Sequence, residues 1–395
     1  MANIEFLTVE YNQAATQRLC EIIKNFEQTR HHTVIPTFHS WASVWHALVN
    51  VGIYRRGADI AEVGTTWLDS LISMNALRPF SDRDLAILGG APAFLPSAWH
   101  SATVEGRDEV WAIPFRLDVR VIHYWRDMLE KVNVDPQTAF ATPASFKKTL
   151  AALQAILPRP FVTTTGRGDQ NTVYDAAPWV WANGGDFVAA DGRSVLFDQP
   201  AALEGLCDYF DLYRFVPPGR MGTADVLNLF IQQQVAAINL GPWLRSNLEE
   251  RSRTDLIPNL GIAAPPGPAF MGGTVLVVWQ HSRYEREVVD FIDRLTSPEV
   301  QAGFCSLTGL LPALKEAWKQ PALKDDPLNS IFLKALENSR TLSRVSVWGT
   351  IEEKLKIEIS QVWDEIFATP NPDIQAIVRK HLVPLARRLN ITLGL

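Results

Sequence analysis

Within its first 75 residues the chain switches repeatedly between short buried runs and stretches of helical spacing, and this alternation limits the fold more than any other feature. Ile4 to Val9 reads as a buried strand, and Ala15, Leu19, Ile22, Ile23 and Phe26 then recur at intervals that place them on one helix face. Val34 to Phe38 is the next strand. Ser40 is expected to cap a helix whose apolar stripe is Trp41, Val44, Trp45, Leu48 and Val49. Asp59 to Val63 gives a third strand before a helix carrying Leu68, Leu71 and Ile72. Strands that alternate with helices predict an α/β fold, with a mostly parallel sheet covered on both faces.

A second series follows Trp111 to Phe115. Val119 to Tyr124 reads as a strand, Ser145 to Ile156 as a helix, and Phe161 to Thr165, Val235 to Leu240 and Leu260 to Ala264 as further strands. Pro265-Pro266-Gly267-Pro268 and Gly272-Gly273 mark a connection before the apolar strand Thr274 to Trp279, and the remaining chain reads as helical. A chain of 395 residues exceeds what one core accommodates, since cores stop growing at roughly 250 to 300 residues, so two lobes are expected. Ligands in such folds sit beyond the carboxyl ends of strands.

Several function classes are disfavoured. The net charge is −6 and the basic residues are scattered, which argues against a nucleic-acid partner. No run of about 18 apolar residues suggests a membrane span. Cys20, Cys207 and Cys305 lack metal or redox spacing and are expected to be buried thiols. The nucleophile-elbow, phosphate-loop, dinucleotide and zinc-protease motifs are absent, so no catalytic residue, metal or cofactor is assigned. The chain enters its first strand without a charged and apolar leader, as expected of a cytoplasmic protein or of an exported one whose signal has been removed.

The chain carries 13 Trp against 7 Tyr, a surplus that suits a site stacking flat rings on a ligand. At Ala236 to Trp243, with Ser246-Asn247-Leu248, it resembles the maltose and oligosaccharide type of extracellular solute-binding proteins (family 1), which serve bacterial ABC importers. The resemblance extends through Asp59 to Val63 and Trp67, Ile113-Pro114-Phe115 with Asp118, Tyr124 to Asp127, Trp181 with Gly184-Gly185-Asp186, Gly272-Gly273, Ser297-Pro298-Glu299 and Thr308 to Pro312. It implies a periplasmic-binding-protein fold: two α/β lobes, 1–116 plus 273–313 and 117–272 plus 314–395, joined by a multi-strand hinge with a ligand cleft between them. It also implies an exported, non-enzymatic monomer that binds a sugar and delivers it to permease subunits. Carried over by position, the stacking aromatics are Trp67, Trp243 and Trp348, with Tyr174 as a further match, and the hinge acid is Asp118. Trp125 stands where the family commonly has Asn.

A pyranose offers an apolar C–H face and a rim of hydroxyls, so its binder needs aromatic planes and charged or amide partners. The candidate set therefore also includes Arg116, Tyr11, Asn12, Trp41, Trp179 and Gly273. Each has a structural alternative. Asn12 can cap a helix, Trp41 and Trp179 can pack in cores, Asp118 can pair with Arg120, and Phe270 to Gly273 with Pro114 to Asp118 can serve as the hinge. Two other functions compete: a carbohydrate-active enzyme using paired carboxylates, and a receptor for glycerol phosphate or a polyol. The phosphate reading would draw on Arg116, Arg120 and Arg344.

Overall fold

The computed structural model describes residues 2–104, 108–342, 345 and 347–393. Its strands are β1 (Asn3–Val9), β2 (Thr33–His39), β3 (Ile60–Gly64), β4 (Leu77–Arg78), β5 (Ile113–Val119), β6 (Val121–Trp125), β7 (Phe161–Val162), β8 (Ala237–Leu240), β9 (Leu260–Ala263), β10 (Ala269–Trp279), β11 (Leu311–Pro312) and β12 (Ser339–Arg340). The chain divides into two compact units, Met1–Asp118 with Gly272–Ser330 and Val119–Met271 with Ile331–Leu395.

In the first unit β1 runs parallel to β2 and to β3, with Ile4 opposite Val34 and Phe6 opposite Ile60. Helix Gln13–Arg30 returns the chain from β1 to β2 and buries Ala15, Leu19, Ile22, Ile23 and Phe26, the stripe its spacing predicts. The next helix, Val44–Tyr54, starts later than expected. The amides of Ser43 and Val44 both donate to the Ser40 carbonyl at 2.9 Å, closing a turn over residues 41–43. Trp41 therefore leaves the apolar stripe and stands 48% exposed.

Gly272-Gly273 is not a connection between elements but part of β10, which pairs antiparallel with β3 from Thr274 opposite Gly64. Gly273 has φ +136°, and a Cβ there would lie 2.1 Å from the Arg116 carbonyl oxygen. Glycine is thus required by the close approach of β5. Residues 314–330, expected in the second lobe, pack in the first unit. Leu314 donates its amide to Gln301 at 2.7 Å, Lys315 reaches the Pro92 carbonyl at 2.8 Å, and Trp318 donates to the Pro312 carbonyl at 3.0 Å.

The second unit holds a smaller sheet in the order β7-β8-β6-β9, parallel between β7 and β8 and antiparallel elsewhere. Helices Asn171–Ala182, Pro200–Phe210 and Trp348–Ala368 contribute to its core, where Trp125 stacks on Phe230 at 4.4 Å and Trp363 meets Phe210 edge-on at 5.0 Å. Of the cysteines, Cys305 is buried and Cys207 half-buried, whereas Cys20 is exposed. It falls off the buried stripe of its helix. Among the described residues no helix is long and apolar enough to cross a membrane.

Candidate ligand-binding surfaces

The parallel strands of the first unit end in loops that carry aromatic side chains: Tyr11 after β1, Trp41 after β2 and Trp67 after β3. Trp67 is only 7% exposed because Trp41 and Trp45 lean against it, with ring centroids at 5.9 and 5.5 Å and tilts of 53° and 42°. Tyr11 packs against the same cluster. The indole left open is that of Trp41. A large exposed ring backed by other rings is an unusual surface for a soluble domain and suits contact with an apolar face.

Beneath these loops lies a buried ion pair. Glu62 of β3 and Arg116 of β5 are both sealed from solvent and bonded to each other. The carboxylate also accepts hydrogen bonds from the Thr8 hydroxyl at 2.6 Å and from the Tyr11 hydroxyl at 2.6 and 2.7 Å. The Arg116 guanidinium is enclosed by the rings of Tyr11, Phe115 and Phe304 at 4.1, 4.6 and 4.9 Å. Burial pulls both groups towards neutrality, Glu62 up to about 7 and Arg116 down to about 9. Arg116, expected to meet ligand, is instead a core residue 0% exposed. Asn12 is a helix cap, accepting from the Ala15 amide at 2.9 Å and donating to the Leu307 carbonyl at 2.9 Å. Gly273 serves the strand contact described above, and Asp118 is half-buried near the end of β5.

In the second unit β7 and β8 run parallel, and the residues beyond their carboxyl ends include Thr163, Thr164, Thr165 and Trp243. Trp243 precedes helix Leu244–Glu250 and is held by its carbonyl, which accepts from Ser246 at 2.9 Å and Asn247 at 3.2 Å. Its half-buried indole and the ring of Tyr174 flank the guanidinium of Arg120, at 5.7 and 5.9 Å. Tyr174 is fixed in turn. It stacks on Phe270 at 4.1 Å and 10°, and its hydroxyl bonds Glu352, a carboxyl that burial raises to about 7.

Asp175, next along the same helix, is buried and accepts from Thr163 at 2.9 Å, from the hydroxyl and amide of Thr164 at 2.7 and 3.2 Å, and from Asn239 at 3.1 Å. Burial raises its pKa to about 6 against the opposing pull of these donors and of Arg120. His123, in β6, is lowered by burial to about 4 and is neutral at pH 7.

Two expected aromatics lie elsewhere. Trp348 is 0% exposed and meets Phe187 edge-on at 6.3 Å, because it opens helix Trp348–Ala368 on the face turned to the core. Trp179 is sealed against Phe146 at 5.1 Å. Arg344 lies outside the described residues. Glu62, Asp175 and Asn239 were missed as organising residues. Glu62 and Asn239 had a legible signal, since each is a lone polar residue inside a strand that otherwise reads as apolar. Among the described residues no three His, Cys, Asp or Glu gather as a metal site requires.

The chain belongs to the bacterial extracellular solute-binding proteins, whose family model matches residues 21–330. Over 278 residues it is 23% identical to the maltooligosaccharide ABC transporter solute-binding lipoprotein of Streptococcus pneumoniae (strain ATCC BAA-255 / R6), covering 67% of this chain and 60% of that protein. Over 204 residues it is 23% identical to the maltotriose-binding protein of Pyrococcus abyssi, covering 47% of this chain and 41% of that one. The chain thus matches about half the length of these curated relatives. The solved structure of the sugar-binding protein MalE from Xanthomonas citri superposes with a TM-score of 0.84 at 20% identity, over 99% of this chain and 97% of that one. The fold is that of the periplasmic sugar-binding proteins.

Proposed function

We propose that this chain is the solute-binding component of an ABC importer. In this reading it captures a sugar or oligosaccharide outside the cytoplasm, leaves it chemically unchanged and delivers it as a monomer to permease subunits. Trp41 carries the reading: an indole 48% exposed at the end of β2, braced from behind by Trp67. Such a ring can stack on the C–H face of a pyranose, and Trp243 and Tyr174 supply comparable planes in the second unit. Asp118 is assigned to the hydroxyl rim, where charge-assisted hydrogen bonds contribute about 1.5 to 3 kcal/mol each. Two or three such contacts and rings suffice for an affinity near 1 μM, about −8 kcal/mol.

The relatives named for maltotriose and maltooligosaccharides favour α-glucans as the first ligands to try. A phosphate-bearing solute fits less well, because Arg116 is committed to Glu62. The decisive experiment is a thermal-shift and calorimetric screen of oligosaccharides, with the sugar recovered afterwards. Stabilisation with the sugar intact is expected. Cleaved products would instead make the chain an enzyme, and a panel without any binder would overturn the carbohydrate assignment.

A further inference from the structure

Tyr11 differs from the other aromatics at the strand ends in how tightly it is held. Its hydroxyl donates to both oxygens of Glu62, one ring face lies over the Arg116 guanidinium at 4.1 Å, and Phe304 meets it edge-on at 5.6 Å and 82°. Yet the residue as a whole is only half-buried. A tyrosine at a sugar-binding surface ordinarily offers its hydroxyl as well as its ring, whereas this one turns its hydroxyl inward to a carboxylate sealed from solvent. With the hydroxyl so committed, what the side chain can still offer a solute is its ring, and that ring is fixed in orientation.

We propose that Glu62, with Arg116 behind it, is a positioning residue that locks Tyr11 so that the solute meets a pre-oriented aromatic face rather than a mobile phenol. This rests on the sugar-binding reading above and names how one part of that surface is organised. The physical gain is the usual one for preorganisation, because a side chain already fixed loses little freedom when ligand arrives. Three donors converge on Glu62, from Thr8, Tyr11 and Arg116, so the carboxylate cannot turn away without leaving buried polar groups unpaired. The arrangement also reaches across the sheet. Thr8 is in β1, Glu62 in β3 and Arg116 in β5, and Arg116 lies two residues from the end of the first unit's segment at Asp118.

The test is a double-mutant cycle read by calorimetry with maltotriose, well below the unfolding temperature of every variant. Tyr11→Phe keeps the ring and removes the bond to Glu62, and should weaken maltotriose binding about two- to tenfold. Tyr11→Ala should weaken it further. Glu62→Gln should also weaken binding, and the double variant Tyr11→Phe, Glu62→Gln should bind no worse than the weaker single variant, because one residue acts through the other. If Glu62→Gln does not fold, Tyr11→Phe alone decides the matter. An unchanged maltotriose affinity in Tyr11→Phe, with only a lowered Tm, would reduce the Glu62 bond to a structural one and overturn the proposal. Additive losses in the double variant would do the same. Should wild-type protein bind neither maltotriose nor any other sugar of the panel, the functional reading itself fails and takes this one with it.

Discussion

Each unit buries a carboxylate close to the ends of its strands, and the two are stabilised by opposite means. Glu62 has a full counterion in Arg116, together with two hydroxyl donors. Asp175 is surrounded by neutral donors, Thr163, Thr164 and Asn239, with Arg120 acting on it through space. The difference follows from the supporting element. Glu62 projects from β3, and the same sheet places a cation within its reach from β5, on the far side of β10. Asp175 projects from helix Asn171–Ala182 towards loop hydroxyls, and such groups solvate a carboxylate without cancelling its charge. A buried ion pair is costly to break but replaceable as a whole, whereas a neutral cradle leaves the carboxylate's charge uncancelled, and burial raises the carboxyl in both settings, Glu62 to about 7 and Asp175 to about 6.

The largest expected effect breaks the ion pair. Arg116→Met leaves Glu62 sealed in the core without its counterion and should cost about 3 to 5 kcal/mol in urea unfolding. Replacing both residues together, Glu62→Leu with Arg116→Met, should be less damaging than the single change. A single-variant loss below about 1 kcal/mol would mean that the pair does not differ in kind from the Asp175 cradle.

The next effect is confined to Asp175. Folded Asp175 keeps its proton up to about pH 6, compared with an ordinary value of 3.8, so the folded state binds the extra proton between those limits. Its contribution is fully present below about pH 4 and is lost as pH rises towards 6, by up to about 3 kcal/mol. Subtracting the stability–pH curve of Asp175→Asn from that of wild type should isolate this slope, and parallel curves would show that Asp175 does not titrate there. At fixed pH 7 the same substitution should cost about 1 to 3 kcal/mol, since an amide offers one acceptor where the carboxylate offers two. The smallest effect sharpens the contrast between support and surface. Trp41→Ala, which strips a half-exposed ring from against Trp67, should cost about 1 kcal/mol of stability, while sugar affinity measured by calorimetry falls by tenfold or more.

Much of the first unit was legible because its signals are local. The runs Ile4 to Val9 and Asp59 to Val63 and the stripe on helix Gln13–Arg30 need only neighbours a few residues apart, and they appear at nearly the expected bounds. The site was harder to read because its logic is long-range. Glu62 finds Arg116 across 54 positions and Asp175 finds Asn239 across 64, distances over which spacing carries no information. Trp41 looked like core because its spacing fits the stripe of Val44 and Leu48, and only the turn at Ser40 removes it. Trp348 erred in the opposite direction. The resemblance placed it among the stacking aromatics, but packing against Phe187 encloses it.

The uneven enclosure of the indoles has a spectroscopic consequence. Trp125, Trp279, Trp348 and Trp363 are fully enclosed, so they should emit at the blue end of the tryptophan range and resist a collisional quencher such as iodide. Trp41 meets water and should emit further to the red. A quencher titration reads Trp41 together with the half-buried Trp45, Trp99, Trp111, Trp243 and Trp318, so the difference between wild type and a Trp41→Phe variant gives this chain an optical report on the end of β2 without an attached dye.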